Sequence, residues 1–255
     1  MVMLMKRLLF TALIAMHLMH EVAAADTEKT LTYAVPHWPP WTDTQTYPYQ
    51  GIDVEIITAL ADKVGFKINT LKCAWKRCLR LLEQGEADIA TNVLKKADRE
   101  VYLHYLTPAY RTNLNYVIYT HKGDMRAITT KQQLYPLQIT IERGAHFPDE
   151  FSQDKNIQTR PVSQTLFAIK QLINQRANAV VGEEYQLDYL VSRLDTNRVL
   201  EKQPLLFSEP INAYIVLSKK SHHAEAVAQL SDTIAQMMDS GQIESMMRDY
   251  LRPNE

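Results

Sequence analysis

Glycine is scarce in this chain, seven in 255 residues, and cysteine is scarcer, with two. So few glycines leave little material for phosphate-cradling loops, and no such loop string occurs. A serine nucleophile elbow and the paired-histidine helix motif of zinc hydrolases are also missing, so hydrolase chemistry has no local signature. Neither sign of charge dominates: the formal net charge is -1 with acids and bases interspersed. Such a surface excludes nucleic acid and anionic membranes as natural partners. Apolar runs are short, the longest being residues 8–19, below the ~20 residues that a membrane span needs.

That one run carries information. Lys6 and Arg7 precede it, and Ala23, Ala24 and Ala25 follow it before Asp26. A basic start, a short apolar stretch and a small-residue cleavage site read as a cleavable signal peptide over residues 1–25. The mature chain is then expected in the periplasm, with a net charge of -2 once Lys6, Arg7 and Glu21 leave with the leader. Hydrophobic residues make up 46% without repeats or low-complexity tracts, so the remainder should fold, and its length allows two modest lobes. In an oxidising compartment Cys73 and Cys78 are expected to form a local disulfide, with paired free thiols in a core as the alternative. No histidines stand at ligand spacing beside them, so a metal site is not expected.

Along the chain, Thr30–Val35 reads as a strand, and the HWPPWT that follows must leave it as a loop because proline has no ladder N–H. From Asp53 the pattern turns helical: Ile56, Ile57, Leu60 and Val64 share a face, acids open it, and Lys63 and Gly65 close it. Lys67–Lys72 alternates like a strand. Trp75, Cys78, Leu79 and Leu82 recur at helical spacing until Gly85, and residues 87–93 read as the next strand. The same grammar restarts with strand 137–141, helix 165–174 and strand 177–181. Strands alternating with such helices predict an α/β fold with mixed sheets. Residues 115–119 and 213–217 are extended and apolar, as expected for two crossings between lobes, and residues 224–251 read as two closing helices broken at Gly241.

Taken in order, the Pro39-Pro40-Trp41 loop, GIDVEIITALADKVG, LEQGEADIA, DREVYLHYLTPAY, NAVVGEE and MDSGQIESMMRDYL resemble the bacterial extracellular solute-binding proteins of family 3, receptors of amino-acid uptake transporters. The resemblance implies a type II periplasmic-binding-protein fold with a double-strand hinge. Its first lobe would span residues 26–115 and 214–255, and its second residues 116–213. It implies a monomer that closes around an amino-acid-like or carboxylate-bearing ligand, with no cofactor and no catalysis. A transporter permease of the ABC type or a membrane sensor would read the closed form. A dehydratase-like enzyme on the same scaffold is the alternative, with Glu183, Glu184 and His37 as its candidate groups.

By register with those motifs, Arg99 is the residue implied to clamp a ligand carboxylate. Its planar guanidinium offers two parallel donors and keeps its charge; the competing reading is a surface arginine paired with Asp98 or Glu100. Glu183 is implied as the acid for a ligand ammonium, where aspartate is commoner, with Glu184 as fallback. Trp38 and Trp75 fall where the family places aromatic walls, and His37 and Trp41 flank the first loop. Upstream of Arg99, TNVLKKADR carries Leu94, Lys95 and Lys96 where hydroxyl residues are frequent. Thr91 and Asn92 are left as the polar contacts there. Gly144 and Ala145 likewise stand for a glycine-threonine pair. These departures point to more aromatic wall or a different ligand head group.

Overall fold

The computed structural model describes residues 29–123 and 127–251, so the signal-peptide reading of residues 1–25 lies outside the described residues. Among the described residues ten strands form two five-stranded mixed sheets. The first has the order β2(Lys67–Lys72), β1(Thr30–Val35), β3(Ile89–Leu94), β10(Ala213–Ser218), β4(Leu103–Tyr105). In it β1, β2 and β3 run parallel, while β10 is antiparallel to β3 and β4. The second has the order β7(Gln158–Val162), β6(Gln138–Glu142), β8(Ala179–Glu183), β5(Leu114–His121), β9(Leu200–Glu209), with β5 antiparallel to both its neighbours.

Helices cover both faces of each sheet, as parallel strands require. On the first sheet, α1(Ile52–Val64) turns Ile52, Ile56, Ile57 and Leu60 onto one face. The closing pair α7(Val227–Asp239) and α8(Gln242–Leu251) add Leu230, Ile234, Met237 and Ile243 to the same core. The other face is covered by α2(Trp75–Gln84) through Cys78, Leu81 and Leu82, with Cys73 disulfide-bonded to Cys78 at the helix start. The turn α3(Ala97–Glu100) follows β3. On the second sheet, α4(Asp149–Ser152) contributes Phe151 to one core, while α5(Thr165–Ile173) and α6(Glu184–Leu194) build the other from Ala168, Ile169, Leu187 and Leu190.

Three strands escaped the sequence reading, β4, β7 and β9. All three lie at sheet edges; β4 is only three residues long, and β7 and β9 carry a proline each, Pro161 and Pro204, which an edge strand tolerates. A second departure concerns β3. Opposite β10 its register slips: Tyr214 faces Val93 and Val216 faces Ala90, so two residues of β3 oppose one of β10. The extra residue is Asn92, at φ 55°, a left-handed conformation that asparagine tolerates better than most.

The chain passes between the sheets twice, from β4 to β5 and from β9 to β10, and the two passages touch. Arg111 and Ala213 form a bridge there, the Ala213 N–H donating to the Arg111 carbonyl at 2.9 Å. Gly51 sets the entry to α1. At φ 131° it brings its Cα so near the Trp41 carbonyl that a Cβ would sit 2.3 Å from that oxygen. The closeness lets the Ile52 and Asp53 amides donate to the Pro40 and Trp41 carbonyls, at 3.0 and 2.9 Å. Two orphan donors of the helix start are thereby satisfied.

Candidate functional site

Ligands of parallel sheets gather where strands end and helices begin, and in the first lobe that edge carries the predicted residues. At the end of β3 the Leu94 side chain packs against the cores of both lobes, so the Leu94 backbone lies at their seam. The Leu94 carbonyl accepts from Arg99 Nη1 at 3.2 Å and from the Tyr105 hydroxyl at 3.3 Å. The Arg99 guanidinium also lies 5.9 Å from the centre of the Trp75 ring. Arg99 is half-buried, and among the described residues no carboxylate forms an ion pair with it. It therefore holds unused donors on a flat aromatic surface at the boundary between lobes. Tyr214, 5.4 Å from Tyr105 edge-on, extends that surface.

Trp38 and Trp75 are both half-buried at this edge but pack on opposite faces of the first sheet, Trp38 with α1 and Trp75 with α2. Asn92, re-aimed by the bulge, points to the Trp38 side. Its Nδ2 donates to Asp53 and its Oδ1 accepts from Arg111 Nη1. The Tyr110 hydroxyl also donates to Asp53, at 2.9 Å. Burial pushes the Asp53 carboxyl up from 3.8 to about 6, against the opposing pull of its hydrogen bonds and of Arg111.

Glu183 ends β8 and caps α6, its Oε2 accepting the Gln186 amide at 3.0 Å. Its Oε1 accepts from Arg111 Nη2 at 2.6 Å in an ion pair whose side chains are 2% and 6% exposed. Arg111 is further held face to face with Trp41, its guanidinium carbon 3.5 Å from the ring centre. Edge-on to Trp41 stands Tyr185 of the second lobe, at 5.7 Å. The structure thus brings Asn92 and Glu183 into one network through Arg111, and brings Trp75 and Arg99 together in another place. Among the described residues no hydrogen bond or ion pair joins Arg99 to Glu183.

A cavity of about 730 Å³ opens beside the Arg111–Glu183 pair, lined by the first passage and by Tyr185, Met238, Ile243 and Met247. Of the predicted residues only Glu183 reaches it. The sequence reading missed Arg111, and one signal could have marked it. Between Glu100 and Lys122 it is the sole residue among Asp, Glu, Lys and Arg. A lone cation in so apolar a stretch invites a buried partner. Among the described residues no group of three or more His, Cys, Asp or Glu is placed to hold a metal, and no helix is long and apolar enough to cross a membrane.

Comparison with solved structures finds this architecture repeatedly. The chain is similar to an amino-acid ABC transporter substrate-binding protein from Streptococcus pneumoniae bound to L-arginine, with 20% identity, a TM-score of 0.71, and coverage of 89% of this chain and 97% of that one. An ancestral amino-acid-binding protein described as a precursor of cyclohexadienyl dehydratase matches at 17% identity and TM-score 0.68, over 88% of this chain and 96% of its own. A histidine kinase sensor domain with similarity to periplasmic binding proteins matches at 17% and 0.68, over 89% of this chain and 97% of its own. At these identities the likeness establishes the fold. No curated protein matches by sequence. The model of one family matches residues 31–253, nearly everything that the structure describes. By that match and this two-lobed fold, the chain belongs to the bacterial extracellular solute-binding proteins, family 3.

Proposed function

We propose that this protein is a periplasmic receptor that takes a small, carboxylate-bearing solute between its lobes. It then presents the closed form to a membrane partner, an ABC-type permease or a sensor. The observation that carries this reading is Arg99, a half-buried guanidinium at the lobe seam, laid on Trp75 and free of any carboxylate ion pair among the described residues. A carboxylate placed there gains two parallel charge-assisted hydrogen bonds, and the ring face beneath excludes water from one side. The two touching passages at Arg111 and Ala213 suit a hinge, because few residues must change conformation for the lobes to turn. A ligand that contacts both lobes favours the closed form by its differential affinity for it.

Binding without turnover is the favoured reading. Acid catalysis needs a carboxyl group open to substrate, and the main candidate, Glu183, is 6% exposed with both oxygens engaged. Titration calorimetry against a panel of small carboxylates tests the proposal. Arg99→Ala should weaken the best ligand at least about 100-fold, the loss of a bidentate charged contact. Unchanged affinity in that variant would show that the carboxylate docks elsewhere.

A further inference from the structure

We propose that the solute carries a carboxylate but no α-ammonium group, because Arg111 supplies from within the chain the cation that Glu183 pairs with. The inference rests on the reading of Arg99 as the carboxylate clamp and sharpens it to a class of ligand: deaminated acids such as aliphatic di-acids, keto acids or aryl-alkanoic acids.

At Glu183 the geometry leaves an ammonium without a free charged acceptor. Glu183 is the buried acid that the second lobe holds at the seam, and its charge is already neutralised by Arg111 at 2.6 Å. Its other oxygen serves the Gln186 amide. Arg111 is no passing neighbour. Trp41 stacks on it, Asn92 accepts from its second nitrogen, and its backbone is bridged to Ala213. Displacing it would strand a guanidinium of 2% exposure among aromatic groups. The bulge that places Asn92 in left-handed conformation exists on the same line of contacts, so the first lobe is shaped to receive this arginine.

Three other acids have partners of their own. Glu142 at the end of β6 accepts from both the amide and the hydroxyl of Thr165, the second through the same Oε2 oxygen. Glu100 pairs with Lys95 at 2.9 Å, and Glu209 with His146 at 2.8 Å. Arg99 remains as an unpaired cation, with exposed Lys96 three residues before it. An ammonium brought to Glu183 gives up water for a charge that Arg111 already neutralises.

Calorimetry on the whole mature protein with matched probes decides the matter: glutarate against glutamate, succinate against aspartate, 3-phenylpropionate against phenylalanine. In every pair that binds, the acid without the amine should bind about tenfold or more tightly than its amino acid, the cost of an unmet ammonium. A tighter amino acid in any pair overturns the inference and leaves the Arg99 clamp standing. Failure of all probes at millimolar concentration overturns the clamp and the inference together. Arg111→Gln bares Glu183 and should move the ratio toward the amino acid by about tenfold. An unmoved ratio in the folded variant also overturns the inference, and the wild-type comparison stands alone if the variant does not fold.

Discussion

A carboxyl group held away from water prefers its proton, and Asp53 shows the effect in this chain: buried beneath Tyr110 and Asn92, it is raised from 3.8 to about 6. In the unfolded chain the same group ionises near its ordinary value. Between about pH 4 and pH 6 the native state therefore binds the proton that the unfolded state has released. The contribution of Asp53 is fully present below about pH 4 and is lost as the pH rises through about 6. Its size is on the order of 3 kcal/mol, two units of proton affinity at 1.36 kcal/mol each. Urea midpoints measured from pH 4 to pH 8 should show this decline in the wild type and a flatter profile in Asp53→Asn. Parallel profiles would mean that Asp53 stays ionised in the folded protein.

Among the elements, the start of α2 is the one most dependent on a covalent tie. Cys73 and Cys78 lie at a sequence separation of 5, closing a loop that carries Trp75 on its helical end. Without the bond, Cys73 and the exposed turn before the helix gain freedom mainly in the unfolded chain. For so short a loop the chain-entropy argument gives about 2 kcal/mol. Reduction, or the paired change Cys73→Ala with Cys78→Ala, should lower the unfolding free energy by about that amount. A loss near zero in equilibrium urea unfolding would show that α2 packing alone holds the turn. The sequence reading left disulfide and paired thiols open, since spacing alone cannot set the distance between two side chains; the helix start beginning at Trp75 brings the Cα atoms to 5.4 Å.

The two lobes are joined through Arg111 and Glu183 as well as by the chain. A buried ion pair is strongly unbalanced by loss of one member, typically about 3–5 kcal/mol, whereas replacing both by apolar groups is often nearly neutral. Glu183→Leu should therefore destabilise the protein by about 3–5 kcal/mol, and Arg111→Met combined with Glu183→Leu should recover most of that loss. A double variant as unstable as the sum of its singles, in a thermodynamic cycle from urea unfolding, would remove the pair as a tie between lobes.

Most of the architecture was readable in linear order because it rests on local periodicities. Ile56, Ile57 and Leu60 fall on one helical face wherever α1 is placed, and the strands 30–35 and 67–72 announce themselves by flanking turns and helices. β7 and β9 were not readable, because their prolines argue against a ladder unless the strand is known to lie at an edge. The polar network was hidden for another reason. Arg111 meets Glu183 across 72 residues and Asn92 across 19, and the meeting depends on a one-residue bulge that flips a side chain to the other face. Periodicity is a property of neighbours along the chain, whereas a buried charge finds its partner only when two sheets and two passages have been packed together.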